Sequence, residues 1–273
     1  MKKRVMILCI IVILATGNVF AKQNKYEVHF LDTGQSDCIL IKTDTKNYLI
    51  DTGASYYSDK VLKYLDLNGV NKIDTVILTH YHDDHYGGLT KIADSIKVDK
   101  VLLPMHNDKM KYDMYKQLSK RGIDVKYIAN NYVLKEEKMN LKALTPFKED
   151  KRLENNNSII LQGEIDGVNY LFAGDCEKAE EEYMIKNNRI NCCDVLKVPH
   201  HGLNTSSTED FLRITLPKVA IVTSNGVESP ENKVLDRIGK MGTLIIRTDL
   251  QGDVVIKNGS LKMSRSDLSI KIK

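Results

Sequence analysis

Three of the seven histidines fall within six residues, in Thr79-His-Tyr-His-Asp-Asp-His-Tyr-Gly-Gly-Leu89, directly after the apolar run Thr75–Thr79. On an extended strand end, His80 and His82 point to one side because side chains alternate with a period of two. Asp84 and His85 are adjacent and share a direction only in a turn. Gly87-Gly88 lets the backbone come close to a neighbouring segment before a helix begins. This pattern suits two metal ions side by side, with His80 and His82 on one and Asp84 and His85 on the other. Imidazole and carboxylate together select zinc, with manganese or iron as alternatives. A solvated histidine-rich loop is the competing reading, and three further segments speak against it. Leu171-Phe-Ala-Gly-Asp175 and Leu49-Ile-Asp-Thr-Gly53 each end an apolar run on a carboxylate, Asp175 and Asp51. Asp194-Val-Leu-Lys-Val-Pro-His-His-Gly202 ends another on His200 and His201. Each polar group sits just past the C-terminal end of an expected strand, where the ligand sites of α/β sheets collect.

These positions depend on the elements that carry them. Short runs rich in branched residues predict strands over 26–32, 37–43, 47–51, 75–79, 99–104, 139–145, 158–165, 168–173 and 194–199. Further strands are expected in Lys218–Ser224, Thr243–Thr248 and Asp253–Lys257. Helices are expected from Ser58, as cap, to Leu67; over 109–121, closed by Gly122; over 177–186; from a capping box at Ser206-Ser-Thr-Glu209 to Thr215; and over 231–240. No linker, repeat or low-complexity tract interrupts the pattern, so residues 22–273 read as one domain.

Lys2-Lys3-Arg4 followed by eleven apolar residues, Val5–Ala15, and then Val19-Phe-Ala21 reads as a signal peptide over 1–21. The run is too short for a bilayer core, which needs roughly 20 residues. A secreted or cell-surface protein is expected, with an uncleaved membrane anchor as the alternative. The formal charge of +4 includes three basic residues of that segment, so the mature chain is nearly neutral. Bulk charge gives no basis for binding nucleic acid or a membrane surface, either of which would show as a basic excess. Cys38, Cys176, Cys192 and Cys193 could pair outside the cytosol. Free buried thiols are the preferred reading, because a core of this size needs no staples.

The sequence resembles the metallo-β-lactamase-fold hydrolases and, among them, the hydrolase domain of ComEC-type DNA-uptake proteins. The likeness is carried by His29-Phe-Leu-Asp-Thr-Gly-Gln-Ser-Asp37, Leu49-Ile-Asp-Thr-Gly53, the metal motif, Asn155-Asn-Asn-Ser158, Phe172-Ala-Gly-Asp175, Val195-Leu-Lys-Val-Pro-His-His-Gly202 and Arg247-Thr-Asp-Leu-Gln-Gly252. It implies an αββα sandwich, an α+β fold of two mixed β-sheets packed face to face with helices outside. It also implies His80, His82, Asp84, His85, Asp175 and one of the His200/His201 pair as ligands to two divalent ions, with Asp175 as the bridge. Asp51, Asp37, Asn155 and Ser158 are candidates to support the ligands or touch substrate. Two departures bear on the site. Asn155-Asn-Asn-Ser158 stands where members with a full ligand set have another histidine, and Glu228-Ser-Pro230 keeps only the proline of a His-Pro pair. Nothing in the sequence resembles the polytopic channel of a DNA importer.

The resulting expectation is an exported dinuclear-metal phosphodiesterase, in which a hydroxide between the metals attacks phosphorus. Asp84 is both ligand and orienter of that hydroxide. His201 is assigned as the ligand because Gly202 permits the turn, and His200 as the group that binds or protonates the leaving oxygen. The reverse assignment stays open. Nucleic acid is one candidate substrate; cell-wall esters, phosphorylcholine, lactones and β-lactams are alternatives, and so is a metal-binding protein without turnover. No protein partner can be inferred. His29 reads as a packed strand histidine and His106 as a loop histidine. The thirteen tyrosines are dispersed and show no stacking platform.

Overall fold

The structure, a computed structural model, describes residues 26–106, 109–146, 149–152 and 154–273. The expected signal segment lies outside the described residues. Two sheets face each other. The first has nine strands in the spatial order Ser266–Lys271, Ser260–Met263, Val254–Lys257, Glu27–Phe30, Ile39–Lys42, Asn47–Ile50, Thr75–Ile77, Lys100–Leu103 and Asp124–Tyr127. The second has seven, in the order Leu244–Arg247, Val219–Val222, Val195–Lys197, Val168–Phe172, Ile160–Ile165, Met139–Leu144 and Val133–Glu136. Each sheet is mixed: the first has five antiparallel and three parallel pairings, the second three of each. Pairing turns parallel at Asn47–Ile50 against Thr75–Ile77 in the first sheet. In the second it does so at Val168–Phe172 against Val195–Lys197.

The sequence pattern follows this division. Parallel strands are buried on both faces and read as unbroken apolar runs. In Val219–Val222, for example, Val219 and Ile221 enter the core between the sheets, while Ala220 and Val222 meet the helices outside. The antiparallel strand Met139–Leu144 instead alternates buried and exposed along most of its length. Phe30 and Phe172 bring their rings to 6.0 Å across the central core. Helices Ser58–Leu67, Leu89–Ser95 and Lys109–Lys120 cover the first sheet through Val61, Leu65, Ile92 and Leu118. Helices Lys178–Lys186, Glu209–Thr215 and Asn232–Gly239 cover the second through Met184, Phe211, Val234 and Ile238. The architecture is the expected αββα sandwich. Among the described residues no helix is long and apolar enough to cross a membrane.

Several local expectations are corrected. Ser58 lies inside its helix, and its hydroxyl donates to the Ser55 carbonyl instead of capping. The helix ending at Thr215 is capped by Thr208, which accepts from Phe211 N–H, so the Ser206–Glu209 box is not formed. The strands Asp124–Tyr127, Val133–Glu136, Ser260–Met263 and Ser266–Lys271 escape the sequence reading. They lie at or near sheet edges, where exposed charged and polar residues dilute the apolar alternation. Cys38, Cys176, Cys192 and Cys193 are free thiols, three of them buried.

Candidate metal centre

The turns that follow the parallel strands of both sheets converge at one edge of the sandwich. Asp83–Tyr86 forms a single helical turn, which brings Asp84 and His85 to the same side as the sequence required. This turn is pressed against the loop after Asn47–Ile50. A Cβ on Gly87 would stand 2.3 Å from Ser55 N, and one on Gly88 2.4 Å from the Thr52 carbonyl. Backbone bonds from Thr52 N to His85 O and from Asp37 N to Asp84 O, at 2.7 and 3.1 Å, fix the motif between two neighbouring loops.

Four inward atoms, Asp84 Oδ2, His85 Nε2, Asp175 Oδ2 and His201 Nε2, form a cluster within 4.8 Å of one another. His85 Nε2 stands 3.4 Å from Asp84 and 3.2 Å from Asp175, while His201 Nε2 stands 3.2 and 3.3 Å from the same carboxylates. The outer nitrogens of both rings are committed elsewhere. His85 Nδ1 donates to Asp51 Oδ2 at 2.8 Å, and His201 Nδ1 donates to the Thr223 carbonyl at 2.9 Å. A carbonyl can only accept, so His201 Nε2 is left to face the cluster as a bare lone pair or as a carrier of an extra proton. His85 Nε2 is buried and has no hydrogen-bond partner.

A second pair of nitrogens converges beside this group. His80 Nε2 and His82 Nδ1 are 3.1 Å apart. Thr79 Oγ1 donates to Asp51 Oδ2 at 2.7 Å and so accepts from His80 Nδ1 at 3.1 Å, which leaves His80 Nε2 bare. His82 Nε2 faces Glu154 Oε2 at 3.3 Å, a carboxylate that accepts its proton and leaves Nδ1 bare. Two lone pairs face to face at this distance repel unless a cation lies against them. Imidazoles held by their far nitrogens, with carboxylates between, are the donor set of zinc and related divalent ions. The residues fit two such ions, His80 and His82 toward one and Asp84, His85 and His201 toward the other.

The electrostatics agree. Burial pushes His80 well below the usual imidazole range, so its ring is neutral. The Glu154 hydrogen bond raises His82. Burial opposes charge on His85 and His201, yet the facing carboxylates prevail. His85 is held well above the ordinary value by Asp175, Asp51 and Asp84, and His201 is pushed up to about 9 by Asp175 and Asp84. Asp175 falls well below the carboxylate range because His201, His85 and Lys197 outweigh its burial. The cluster attracts positive charge, which protons supply when no metal does.

The family model of the metallo-beta-lactamase superfamily matches residues 31–224, most of the chain. The protein belongs to the metallo-beta-lactamase superfamily. It is 28% identical over 251 residues to ComE operon protein 3 of Bacillus subtilis (strain 168), covering 84% of this chain and 32% of that protein. It is also 28% identical over 256 residues to Recombination protein 2 of Haemophilus influenzae, covering 90% of this chain and 31% of that one. The chain thus spans about a third of the length of these curated relatives. Among solved structures, CmlA, a diiron beta-hydroxylase from Streptomyces venezuelae, superposes with a TM-score of 0.61 at 15% identity, over 85% of this chain and 54% of that one. At that identity the likeness concerns the fold.

Within this superfamily fold, the positions singled out in the sequence separate into those at the cluster and those around it. His80, His82, Asp84, His85, Asp175 and His201 come together. Asp175 offers the cluster one oxygen, since Oδ1 faces Lys197 Nζ at 3.5 Å. Residues 200 and 201 are not extended: both take left-handed backbone, with φ of 48° and 52°. His201 turns inward and is fully buried, whereas His200 Nε2 lies 3.9 Å from Asp175 Oδ2 and its Nδ1 2.7 Å from Thr205 Oγ1. Gly202, at φ +82°, lies so close to Pro230 that an added Cβ would meet Pro230 Cβ at 2.7 Å. Asp51 and Asp37 lie behind the clustered rings, Asp51 on His85 and Thr79, Asp37 on Thr223 Oγ1 at 2.6 Å. Ser158 Oγ accepts from Asp175 N at 3.2 Å, and Asn155 Nδ2 donates to His200 Nε2 at 3.3 Å. His29 is a packed strand residue bonded to Tyr64 and Glu27.

Three participants were missed from the sequence. Lys197 is fully enclosed, paired with Asp37 and Asp175 and donating to the Gly174 carbonyl at 3.0 Å. Its signal was a lone charge in the apolar run Val195–Val198, which burial on both faces forces to find partners. Glu154 holds His82 and left no signal beyond preceding the asparagines. His106 lies, as read, in the loop after Lys100–Leu103, but it is buried there and faces Glu154 at 3.4 Å. Tyr115 and Tyr127 stack on each other with centroids 5.7 Å apart, outside the cluster.

Proposed function

We propose that the protein is an exported metal-dependent phosphodiesterase whose dinuclear centre is built from His80 and His82 on one side and Asp84, His85 and His201 on the other, with Asp175 between them. The observation that carries this reading is the convergence of the inward ring nitrogens of His80, His82, His85 and His201 with Asp84 and Asp175, whose facing atoms have only one another as partners. Two divalent ions held there, with zinc favoured by the donor set, would acidify a water and polarise the oxygens of a phosphoester, the arrangement suited to in-line displacement. Asp84 sits at the open side of the cluster, 31% exposed, where its free oxygen would orient the attacking water. His200 lies beside Asp175 on the side of Asn155, placed to meet the departing oxygen. Burial lowers its proton affinity against the pull of Asp175, so it reaches neutral pH uncharged and would bind that oxygen once protonated. His82 is 42% exposed, so the centre opens to solvent along the His82–Asp84 edge and admits a substrate larger than the site.

The test is elemental analysis of the metal-reconstituted chain together with hydrolysis of bis-p-nitrophenyl phosphate. Two ions per chain and metal-dependent release of nitrophenol are expected. DNA, teichoic acid and a β-lactam compared under the same conditions identify the substrate class. A chain that binds no metal, or one that binds two ions and hydrolyses only the β-lactam, would overturn the phosphodiesterase reading.

A further inference from the structure

We infer that Glu154 is the residue that positions His82, with His106 steadying Glu154 from its other oxygen. The inference rests on the metal centre proposed above. His80, His85 and His201 are completely buried, so packing fixes their rings and one hydrogen bond settles each tautomer. His82 differs, because its half-exposed side chain is free to rotate unless something outside the cluster holds it. Glu154 does so. Its Oε2 stands 3.3 Å from His82 Nε2, on the ring edge opposite the nitrogen that faces His80. Its Oε1 accepts the backbone N–H of Tyr81, the residue between the two histidines, at 2.8 Å and faces His106 Nε2 at 3.4 Å.

An ordinary surface ion pair joins two mobile side chains and contributes little. Here the carboxylate is only 22% exposed and is approached from three directions, by the metal-motif backbone, by His82 and by a buried histidine from another strand end. The His106 ring in turn packs edge-on against Tyr81, with centroids 5.0 Å apart. A carboxylate on the far nitrogen of a ligand imidazole fixes its orientation and raises its basicity, and loss of such a partner weakens metal binding by about 10–100-fold. Glu154 therefore selects Nδ1 of His82 as the atom offered to the first ion.

The experiment titrates zinc into the metal-free mature chain against a chromophoric chelator, for the natural protein and for Glu154→Ala, Glu154→Gln and His106→Gln. Two bound ions are expected for the natural protein. Glu154→Ala should weaken one ion by about 10–100-fold and leave the other unchanged. In Glu154→Gln the amide oxygen must stay on Tyr81 N–H, a donor that cannot reverse, so its NH2 faces His82 Nε2. The same ion should then be weakened at least as much as in Glu154→Ala, whereas His106→Gln, which leaves Glu154 in place, should fall between. Nitrogen-15 spectra of the histidine rings supply a readout independent of metal, in which His82 loses its fixed Nε2–H form in Glu154→Ala. Should that variant not fold without metal, the isosteric Glu154→Gln carries the test. If both Glu154 variants bind two ions as tightly as the natural chain, Glu154 is a surface partner only and the metal centre stands without it. If the natural chain binds no ion at either site, the metal centre itself is wrong and this inference falls with it.

Discussion

Replacing Asp51 by Asn changes one atom at the centre of the buried network and has a calculable consequence. Asp51 is fully enclosed, and all three of its partners donate: Thr79 N to Oδ1 at 2.8 Å, and Thr79 Oγ1 and His85 Nδ1 to Oδ2 at 2.7 and 2.8 Å. The backbone at 51 is left-handed, with φ 56°, which Asn tolerates as well as Asp, so no strain is added. The new amide group must face one side or the other. Toward Thr79 N it meets a donor that cannot reverse, at a cost of about 1–3 kcal/mol for a buried unsatisfied group. Toward Thr79 Oγ1 and His85 it meets two groups that can both become acceptors, and this orientation is the cheaper. It moves the His85 proton to Nε2, the atom aimed at Asp84 and Asp175. Metal affinity should fall by about 10–100-fold, the usual loss for an outer partner of a ligand imidazole, or about 1.4–2.8 kcal/mol. Chelator competition at fixed pH reads the affinity, ring nitrogen spectra read the tautomer, and melting of the metal-free chain reads stability. Unchanged affinity with the His85 proton still on Nδ1 would refute the argument, because it would mean that Asp51 does not set the tautomer.

Asp175→Asn removes the buried charge that faces His85 and His201 at 3.2 and 3.3 Å, so it should empty at least one metal site and reduce phosphodiester turnover by orders of magnitude, while Asp166→Asn, outside the cluster, leaves both unchanged. Wild-type metal content and rate in Asp175→Asn would sink the bridging assignment. Intact-mass measurement of the exported protein is expected to show Lys22 as its first residue; Met1 still attached would contradict the signal-peptide reading. Glu27 is held down to about 2 by its hydrogen bonds to His29 and Lys257, against burial. A folded value below the unfolded one gives stability that is complete above about pH 4.5 and drains away as pH falls toward 2. Acid titration of melting temperature should therefore flatten over that window in Glu27→Gln, and an identical acid slope would show that Glu27 is not responsible.

The parts of the metal centre legible in the sequence are those whose geometry is local. His80, His82, Asp84 and His85 lie within six residues, so strand and turn periodicity alone places them together, and the apolar runs before Asp51, Asp175 and His200 identify the parallel strands that deliver them. Closure of the site is a different matter. Asp84 and His201 meet across 117 positions, and their distance depends on how two sheets are set against each other, which no spacing encodes. The choice between His200 and His201 likewise waits on two consecutive left-handed residues and on the fit of Gly202 against Pro230. Lys197 announces itself as a charge in a buried strand but not its partners, and Glu154 announces nothing, since a glutamate before three asparagines is an ordinary surface sequence until the fold lays it against His82. Candidate ligand types belong to the chain; the hydrogen bonds that choose which nitrogen of each ring faces the cluster belong to the tertiary structure, because each joins a histidine to a group carried by another segment or by the neighbouring threonine that the fold has oriented.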